Sequence, residues 1–364
     1  MPNPIKWWVP EIGKEEHKYI KEVLDSSFPN EGPMSARFEQ EICKLVNCKH
    51  AVVVTSCTAA IYVSLKALGV GHGDEVIVPD ITFIATANAV EMTGAKPVLV
   101  DVNKEDLNIS AKSFRDAISK KTKAVVPVHV TGRAAPMEEI IEIAKKNNVH
   151  VVEDAAEALM SKHNNKYLGT FGATGCFSFS AHKTITMGQG GVIVTNDDAL
   201  HKRLIEIKDH GRPVRGTGGD DMHNSIGYNF KFTDLQAAVG LGQLHYLDKR
   251  VKRQAKINEI YRKGLEGVKG IKLFDFDIKN GEVPQWTDAI VEKRDDLDSY
   301  LLSKKIICRR FWHPIHTQKP YRLPDDKFPN STSLSKKALW LPSAFTLSDE
   351  DINEVCSHIR KFLK

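Results

Sequence analysis

The 364-residue sequence lacks the features that mark disulfide-stabilised, metal-binding or membrane-spanning proteins. Its six cysteines are scattered and form no C-x-x-C pair, so we expect free thiols in the cytoplasm and no metal site. No apolar run is long enough to cross a bilayer, and the N-terminus lacks the apolar core of a signal peptide. Internal repeats and low-complexity segments are also absent.

A strong charge of one sign is also missing. The chain has 51 Lys and Arg against 46 Asp and Glu, a formal net charge of +5, and no dense basic stripe. Nucleic acid is therefore not an expected partner, whereas an anionic small ligand fits this modest charge. The length allows two domains and a large core.

The first two thirds of the chain alternate between strand and helix patterns. Amphipathic helices are predicted over 15–27 and 35–47. Apolar strands are predicted over 51–55, 75–79, 97–101, 124–130, 150–154, 176–180 and 191–195, with helices over 59–68, 83–93, 111–119 and 136–147. This alternation predicts a mostly parallel sheet covered on both faces, with ligands at the carboxyl ends of its strands.

The last third predicts a smaller α+β domain. Residues 210–226, rich in Gly, Asp and polar groups, are typical of a mobile or partner-facing loop. Helices follow over 233–248 and 250–266, then strands over 285–292 and 307–312 and a helix over 348–362. We place the boundary near residue 246, giving domains 1–246 and 247–364.

Lys183 lies in a loop between an apolar strand and a glycine turn, among small and hydroxyl residues. Taken alone, it is most simply an ordinary exposed lysine. The pattern offers few carboxylates to pair with it, and a recessed lysine without a partner loses its proton more easily. A neutral lysine amine can form a Schiff base with an aldehyde cofactor such as pyridoxal phosphate (PLP).

Asp154 ends a buried strand and is expected at the open end of the sheet. It is either the N-cap of the next segment or the partner of a protonated pyridine nitrogen, which PLP requires to accept electrons. Roughly thirty residues separate it from Lys183, and both can line one crevice.

Three further positions fit a phosphate and a flat ring. Thr55-Ser-Cys-Thr-Ala-Ala60 lies between a strand and a helix, where free N–H groups and the helix dipole favour an anion, although a plain Ser/Thr cap also explains it. Ser178 offers another hydroxyl. Phe83, after the next strand, either stacks on a cofactor ring or belongs to the core.

Together these residues make the chain resemble the DegT/DnrJ/EryC1/StrS family of PLP-dependent sugar aminotransferases, a branch of the fold-type-I aminotransferases. The likeness runs from about Glu16 to the C-terminus. Its most specific stretches are Glu153-Asp-Ala-Ala-Glu157, Gly169-Thr-Phe-Gly172, the Phe177 to Gly191 block and Gly227-Tyr-Asn-Phe-Lys-Phe-Thr-Asp-Leu-Gln-Ala-Ala238.

The resemblance implies a large domain with a seven-stranded, mostly parallel sheet, a homodimer with shared active sites, and L-glutamate as amino donor. It implies that Lys183 holds PLP and moves protons, and that pyridoxamine phosphate forms during turnover. It further implies that Asp154 pairs with the ring nitrogen of PLP, that Glu157 lies near the ring hydroxyl and that Phe83 stacks on the ring. The phosphate-binding residues that it implies are Cys57, Thr58 and Ser178, with Asn229 reaching the phosphate from the neighbouring subunit.

The chain departs from the family pattern at three places. Cys57 stands where glycine is usual, and Gln189 replaces the usual Glu before Gly190. After His129, Thr131-Gly-Arg133 replaces an aromatic-Gly-polar sequence, which predicts an altered substrate side.

The Lys183-Thr-Ile-Thr-x-Gly stretch most resembles members that aminate C4 of GDP-4-keto-6-deoxy-mannose. Arg309 is either a bidentate ligand for the substrate diphosphate or an exposed edge-strand residue. With His129 and His316 it completes the candidate substrate set; the His313/His316 pair lacks a third metal ligand.

Other functions stay open. The nucleotide can be UDP or dTDP, and the aminated carbon can be C3. Sugar 3-dehydratases of the family carry His in place of the lysine, and His182 invites that comparison, but the register of Thr186 and Gly188 puts Lys183 at that position. A non-catalytic PLP- or sugar-binding regulator shares the fold; such regulators carry a DNA-binding segment, and we see none.

Overall fold

The computed structural model describes residues 3–213 and 221–364. Its helices are α1 Lys14–Asp25, α2 Pro33–Val46, α3 Cys57–Ala67, α4 Ala85–Met92, α5 Ala111–Asp116, α6 Met137–Lys146, α7 Asp198–Lys208, α8 Asp234–Leu244, α9 Leu247–Gly264, α10 Arg294–Ser303, α11 Pro329–Ser335 and α12 Asp349–Leu363. Its strands are β1 His50–Val54, β2 Glu75–Pro79, β3 Lys96–Val100, β4 Thr122–Val125, β5 His150–Asp154, β6 Lys162–His163, β7 Lys166–Tyr167, β8 Thr174–Ser178, β9 Gly191–Thr195, β10 Ile271–Leu273, β11 Thr287–Val291, β12 Arg309–Arg310 and β13 Ala338–Leu341.

The large sheet has seven strands in the order β1-β9-β8-β5-β4-β2-β3. Strands β3, β2, β4, β5 and β8 pair in parallel, while β9 runs antiparallel to both of its neighbours. The prediction of a mostly parallel α/β sheet is thus confirmed. The strand predicted over 124–130 is shorter than expected and ends at Val125, because Pro127 has no N–H for the ladder.

Both faces of this sheet are buried, as its continuous apolar strands require. Val52 and Val54 of β1 pack with α3 on one face. Ala51 and Val53 point to the opposite face and pack against Phe38 of α2. The two-residue period of a strand therefore places one sheet between two helical layers, and its strand ends are left to carry polar residues.

The second sheet is antiparallel, with the order β10-β11-β13-β12, and all its strands follow residue 270. Leu339 and Leu341 of β13 pack in one core with α9 and α12. Ile5 pairs with Ile306, which brings the N-terminal segment against this part of the chain. The division into domains 1–246 and 247–364 stays a prediction; residue 246 lies just before α9.

Two further expectations concern the loop over 210–226 and membrane-spanning helices. Part of the loop predicted over 210–226, residues 214–220, lies outside the described residues. Across the described chain, no helix is both long enough and apolar enough to cross a membrane.

Candidate active site

An open cleft lies where the carboxyl ends of β1, β2, β5 and β8 meet the second sheet. It brings together most of the residues that the sequence singles out for a cofactor. Its lining includes Cys57, Thr58, Phe83, Asp154, Glu157, Ser178, Lys183, Gln189 and Arg309.

The start of α3 forms an anion site at one end of the cleft. Ser56 caps the helix by accepting a hydrogen bond from the Ala59 N–H at 3.1 Å, while the N–H groups at the first helical positions, Cys57 and Thr58, have no partner within the helix. The helix can approach β9 because residue 191 is glycine; a Cβ there would lie 2.4 Å from the Ser56 carbonyl. With the Ser178 hydroxyl nearby, these donors suit a phosphate.

Asp154 supplies a buried carboxylate in the cleft. Its Oδ2 accepts a hydrogen bond from Thr86 Oγ1 at 2.8 Å, its Oδ1 accepts one from the Ala156 N–H at 3.1 Å, and the residue is 6% exposed. Burial raises the pKa of the Asp154 carboxyl. A cation bound beside it would favour the charged form, which is the interaction a protonated ring nitrogen offers.

Lys183 faces Glu157, with 3.2 Å between Nζ and Oε1, and its Nζ lies 4.8 Å from the centre of the Trp286 ring. The expectation of an unpaired lysine is therefore wrong: the partner is 26 residues away in the chain and reaches the site because β5 and β8 are neighbours. Glu157 Oε2 also accepts the Thr131 N–H at 2.9 Å. Burial raises the pKa of the Glu157 carboxyl.

His129 does not line the cleft. It is fully buried, and its Nε2 lies 3.0 Å from Glu153 Oε2. The Glu153 carboxylate also accepts the backbone N–H groups of Gly169, Phe171 and Gly172 at 2.6–2.8 Å. The sequence reasoning missed the role of Glu153. Its carboxylate connects the stretch around Asp154 to the Gly169-Thr-Phe-Gly172 stretch through hydrogen bonds. The position of Glu153 next to Asp154 was the only signal for it in the sequence.

His316 also lies away from the cleft lining. Its Nδ1 is 2.6 Å from Asp80 Oδ2, its N–H donates to Asp80 Oδ1 at 2.7 Å, and its ring stacks on Phe328. Both members of the pair are buried. His316 thus fixes the chain after β12 to the end of β2, three residues before Phe83.

Arg309 lines the cleft, as expected for a ligand-binding residue, and it also belongs to an edge strand, β12. The guanidinium lies 4.7 Å from the Trp7 ring centre and 5.5 Å from that of Trp340, and burial lowers the pKa of Arg309. Among the described residues the guanidinium has no hydrogen-bonded partner and no carboxylate at ion-pair distance, and the charge of Glu157 acts on it only from farther away. It is available to an anionic ligand.

Tryptophans form the wall beside Lys183 and Arg309, and the sequence reasoning did not find them. Trp286, Trp312 and Trp340 line the cleft, and Trp7 and Trp8 pack behind them. The five tryptophans come from four separate stretches of the chain. Only the fold brings them together.

Of three further positions that the sequence singles out, only Phe83 lines the cleft. Phe83 is 54% exposed at the cleft, where its ring face is free for a ligand. Asn229 is exposed, forms a bridge with Asp209, and does not line this cleft. Arg133, from the segment expected to alter the substrate side, is buried and forms two 2.8 Å hydrogen bonds to Asp288 of β11.

The polar groups of the cleft match the different parts of a single cofactor. A helix start fits a phosphate, a buried carboxylate fits a protonated ring nitrogen, and a lysine lies within reach of an aldehyde carbon. Within residues 3–213 and 221–364 there is no group of three or more His, Cys, Asp or Glu that could hold a metal ion. The fold and site thus define a PLP-dependent aminotransferase.

The chain belongs to the DegT/DnrJ/EryC1/StrS aminotransferase family, which matches residues 10–360. It is 36% identical over 358 residues to GDP-perosamine synthase of Escherichia coli O157:H7, covering 97% of each chain, and 34% identical over 363 residues to that of Vibrio cholerae, with the same coverage. The crystal structure of S. venezuelae DesV matches with a TM-score of 0.91 at 31% identity, covering 96% of this chain and 94% of that one. The resemblance to the family is confirmed, and the protein is a PLP-dependent sugar aminotransferase.

Proposed function

We propose that the protein transfers the amino group of L-glutamate to the C4 ketone of GDP-4-keto-6-deoxy-mannose, giving GDP-perosamine. The observation that carries this proposal is the similarity to two GDP-perosamine synthases along 97% of each chain. The unpartnered Arg309 supports it further, since a guanidinium binds a nucleotide diphosphate through two parallel hydrogen bonds.

Lys183, Asp154 and the start of α3 are the residues that would hold the cofactor. When bound, PLP supplies a ring that accepts electrons and a carbon that carries the amino group between substrates. Asp154 would place its carboxylate against the ring nitrogen, and the N–H groups of Cys57 and Thr58 with the Ser178 hydroxyl would bind the phosphate. Phe83, which lines the cleft, would cover one face of the ring.

Lys183 is the proton carrier in this proposal. Its Nζ takes a proton from the amino donor and returns one to the sugar carbon in the second half-reaction. Glu157 holds this Nζ from one side at 3.2 Å, and the Trp286 ring limits its movement and the access of water from another. The amine therefore stays at the point in the cleft where both substrates must arrive.

A homodimer completes the proposal. Asn229 is exposed on the single chain and lies outside the lining of its own cleft, as a residue that serves a neighbouring subunit must. The six thiols are all free, which fits a cytoplasmic enzyme.

Amination of a UDP- or dTDP-linked sugar, or of C3, remains the second candidate, because Arg309 binds a diphosphate whatever base it carries. His182 also lines the cleft, but a dehydratase is disfavoured because the register of Thr186 and Gly188 puts Lys183 where the dehydratases of the family carry His.

A panel of keto sugar nucleotides tests the substrate. GDP-, UDP- and dTDP-linked 4-keto and 3-keto sugars are each incubated with the PLP-loaded enzyme and L-glutamate, and kcat/KM is measured by mass spectrometry of the amine. We expect GDP-4-keto-6-deoxy-mannose to give the highest value by about tenfold or more, a difference that one well-made polar contact supplies. A higher value for another nucleotide or for a C3 ketone contradicts the substrate assignment and leaves the aminotransferase class intact.

A further inference from the structure

Gln285 holds the chain on both sides of Lys183. Its Oε1 accepts hydrogen bonds from Thr184 Oγ1 at 2.9 Å and from the Thr184 N–H at 3.3 Å, and its Nε2 donates to the His182 carbonyl at 3.4 Å. The side chain is 2% exposed and does not line the cleft. One amide thus fixes the peptide groups that flank the reactive lysine.

The backbone of Gln285 reaches the partner of that lysine. Its N–H donates to the Thr131 carbonyl at 2.9 Å, and the Thr131 N–H donates to Glu157 Oε2 at 2.9 Å. The Gln285 carbonyl in turn accepts Gln254 Nε2 at 3.1 Å. Lys183 and Glu157, which approach each other from different loops, are therefore both tied to this one residue.

The residue after Gln285 also contacts the lysine. Trp286, whose ring centre lies 4.8 Å from Lys183 Nζ, follows Gln285 directly at the entry to β11. A shift of Gln285 would move the Trp286 ring, the lysine loop and the glutamate loop together. Reactivity at Nζ depends on orientation, since a displacement of about 1 Å can reduce a rate about 100-fold.

We propose that Gln285 is a positioning residue that sets the direction of Lys183 Nζ toward the cofactor carbon. This inference rests on the proposed covalent role of Lys183. It assigns to the segment before β11 a function in catalysis without contact with substrate or cofactor.

The test compares two cofactor forms in Gln285→Met, which keeps the length of the side chain and removes its polar end. PLP binding includes the covalent link to Lys183, whereas pyridoxamine phosphate has no aldehyde and binds without it. We expect the Kd of PLP to rise by about tenfold or more, as the loss of the three side-chain hydrogen bonds predicts, and the Kd of pyridoxamine phosphate to change by less than about threefold. Thr184→Val removes one of these bonds and is expected to change the same ratio less.

Kinetics give a second readout. Gln285→Met should lower kcat about 10- to 100-fold and leave the KM of the keto sugar within about threefold. Gln40→Met, on the exposed side of α2, controls for the substitution itself and should match the wild type in all measurements.

Two outcomes would overturn the inference. Equal weakening of both cofactor forms means a general structural role, and unchanged affinities mean that Lys183 does not depend on Gln285. The Lys183→Ala variant distinguishes this failure from a failure of the proposed function. If Lys183→Ala keeps the wild-type ratio of the PLP and pyridoxamine phosphate dissociation constants, the covalent role of Lys183 is wrong. If Lys183→Ala changes this ratio and Gln285→Met keeps it, only the positioning role of Gln285 is wrong.

Discussion

Lys183 Nζ lies 3.2 Å from Glu157 Oε1, and the two side chains are only 12% and 5% exposed. Glu157→Gln removes this ion pair and keeps an acceptor for the Thr131 N–H. We expect kcat to fall about 10- to 100-fold, because the amine loses its orientation, while the sugar KM changes little. Steady-state kinetics with saturating glutamate check this; an unchanged kcat would show that the contact has no part in the reaction.

Asp154→Asn should separate activity from stability. Turnover is expected to fall about 100-fold or more, because the ring nitrogen loses its charged partner. The measurement is the initial rate at saturating substrates, with Thr86→Val as a milder variant that keeps the carboxylate and removes one of its hydrogen bonds.

The same substitution should make the cofactor-free protein more stable at neutral pH. Burial raises the pKa of Asp154, so the folded state holds this proton more tightly than the unfolded state, and stability falls as pH rises from the unfolded value, about 3.9, through the folded value. Asparagine carries no charge and avoids this loss. Thermal unfolding at pH 7 should show a higher Tm for the variant, with a difference that shrinks toward pH 4; a lower Tm at pH 7 contradicts the account.

Arg309→Ala tests whether the Arg309 guanidinium binds the keto sugar nucleotide or the amino donor glutamate. We expect kcat/KM for the keto sugar nucleotide to fall about 10- to 100-fold, the loss of a hydrogen bond to a charged group, with the glutamate half-reaction unchanged. Single-turnover absorbance with glutamate and steady-state assays with the sugar measure the two separately. A glutamate half-reaction that slows as much as the sugar reaction would assign Arg309 to the amino donor.

Arg133 and Asp288 form a buried pair that joins the loop after β4 to β11. Arg133→Met should destabilise the protein by about 3–5 kcal/mol, because it leaves the Asp288 carboxylate buried without its cation. Denaturant unfolding of the two single variants and the Arg133→Met/Asp288→Leu double variant measures this. The double variant should regain most of the loss; losses that simply add would show that the two residues are not coupled.

Much of the fold could be predicted from the sequence because the strands of the large sheet are mostly continuous apolar runs separated by helical periods, whereas the two-residue strands β6 and β7 carry no such pattern. The meeting of three candidate residues in one cleft could be predicted too: Asp154 and Ser178 end β5 and β8, Phe83 follows β2, and parallel strand ends meet at one edge of a sheet. Their roles at the cofactor stay predictions until the variants are made.

The contacts that cross between distant stretches could not be predicted. The patterns around Lys183 gave no sign of Glu157 or Gln285, since a hydrogen bond over 26 or 101 residues leaves no local period. His129 and His316 were expected near the substrate and are buried beside Glu153 and Asp80 instead. A histidine after a strand end looks the same in sequence whether it meets a ligand or a buried carboxylate.

Nitrogen transfer tests the central claim most directly. The PLP-loaded enzyme is incubated with ¹⁵N-labelled L-glutamate and GDP-4-keto-6-deoxy-mannose, and the sugar nucleotide is analysed by mass spectrometry and NMR, with Lys183→Ala as control. The account predicts a ¹⁵N amine at C4 with the wild type and none with the variant. A sugar that returns unaminated or without its C3 hydroxyl group, or equal labelling by Lys183→Ala, would contradict it.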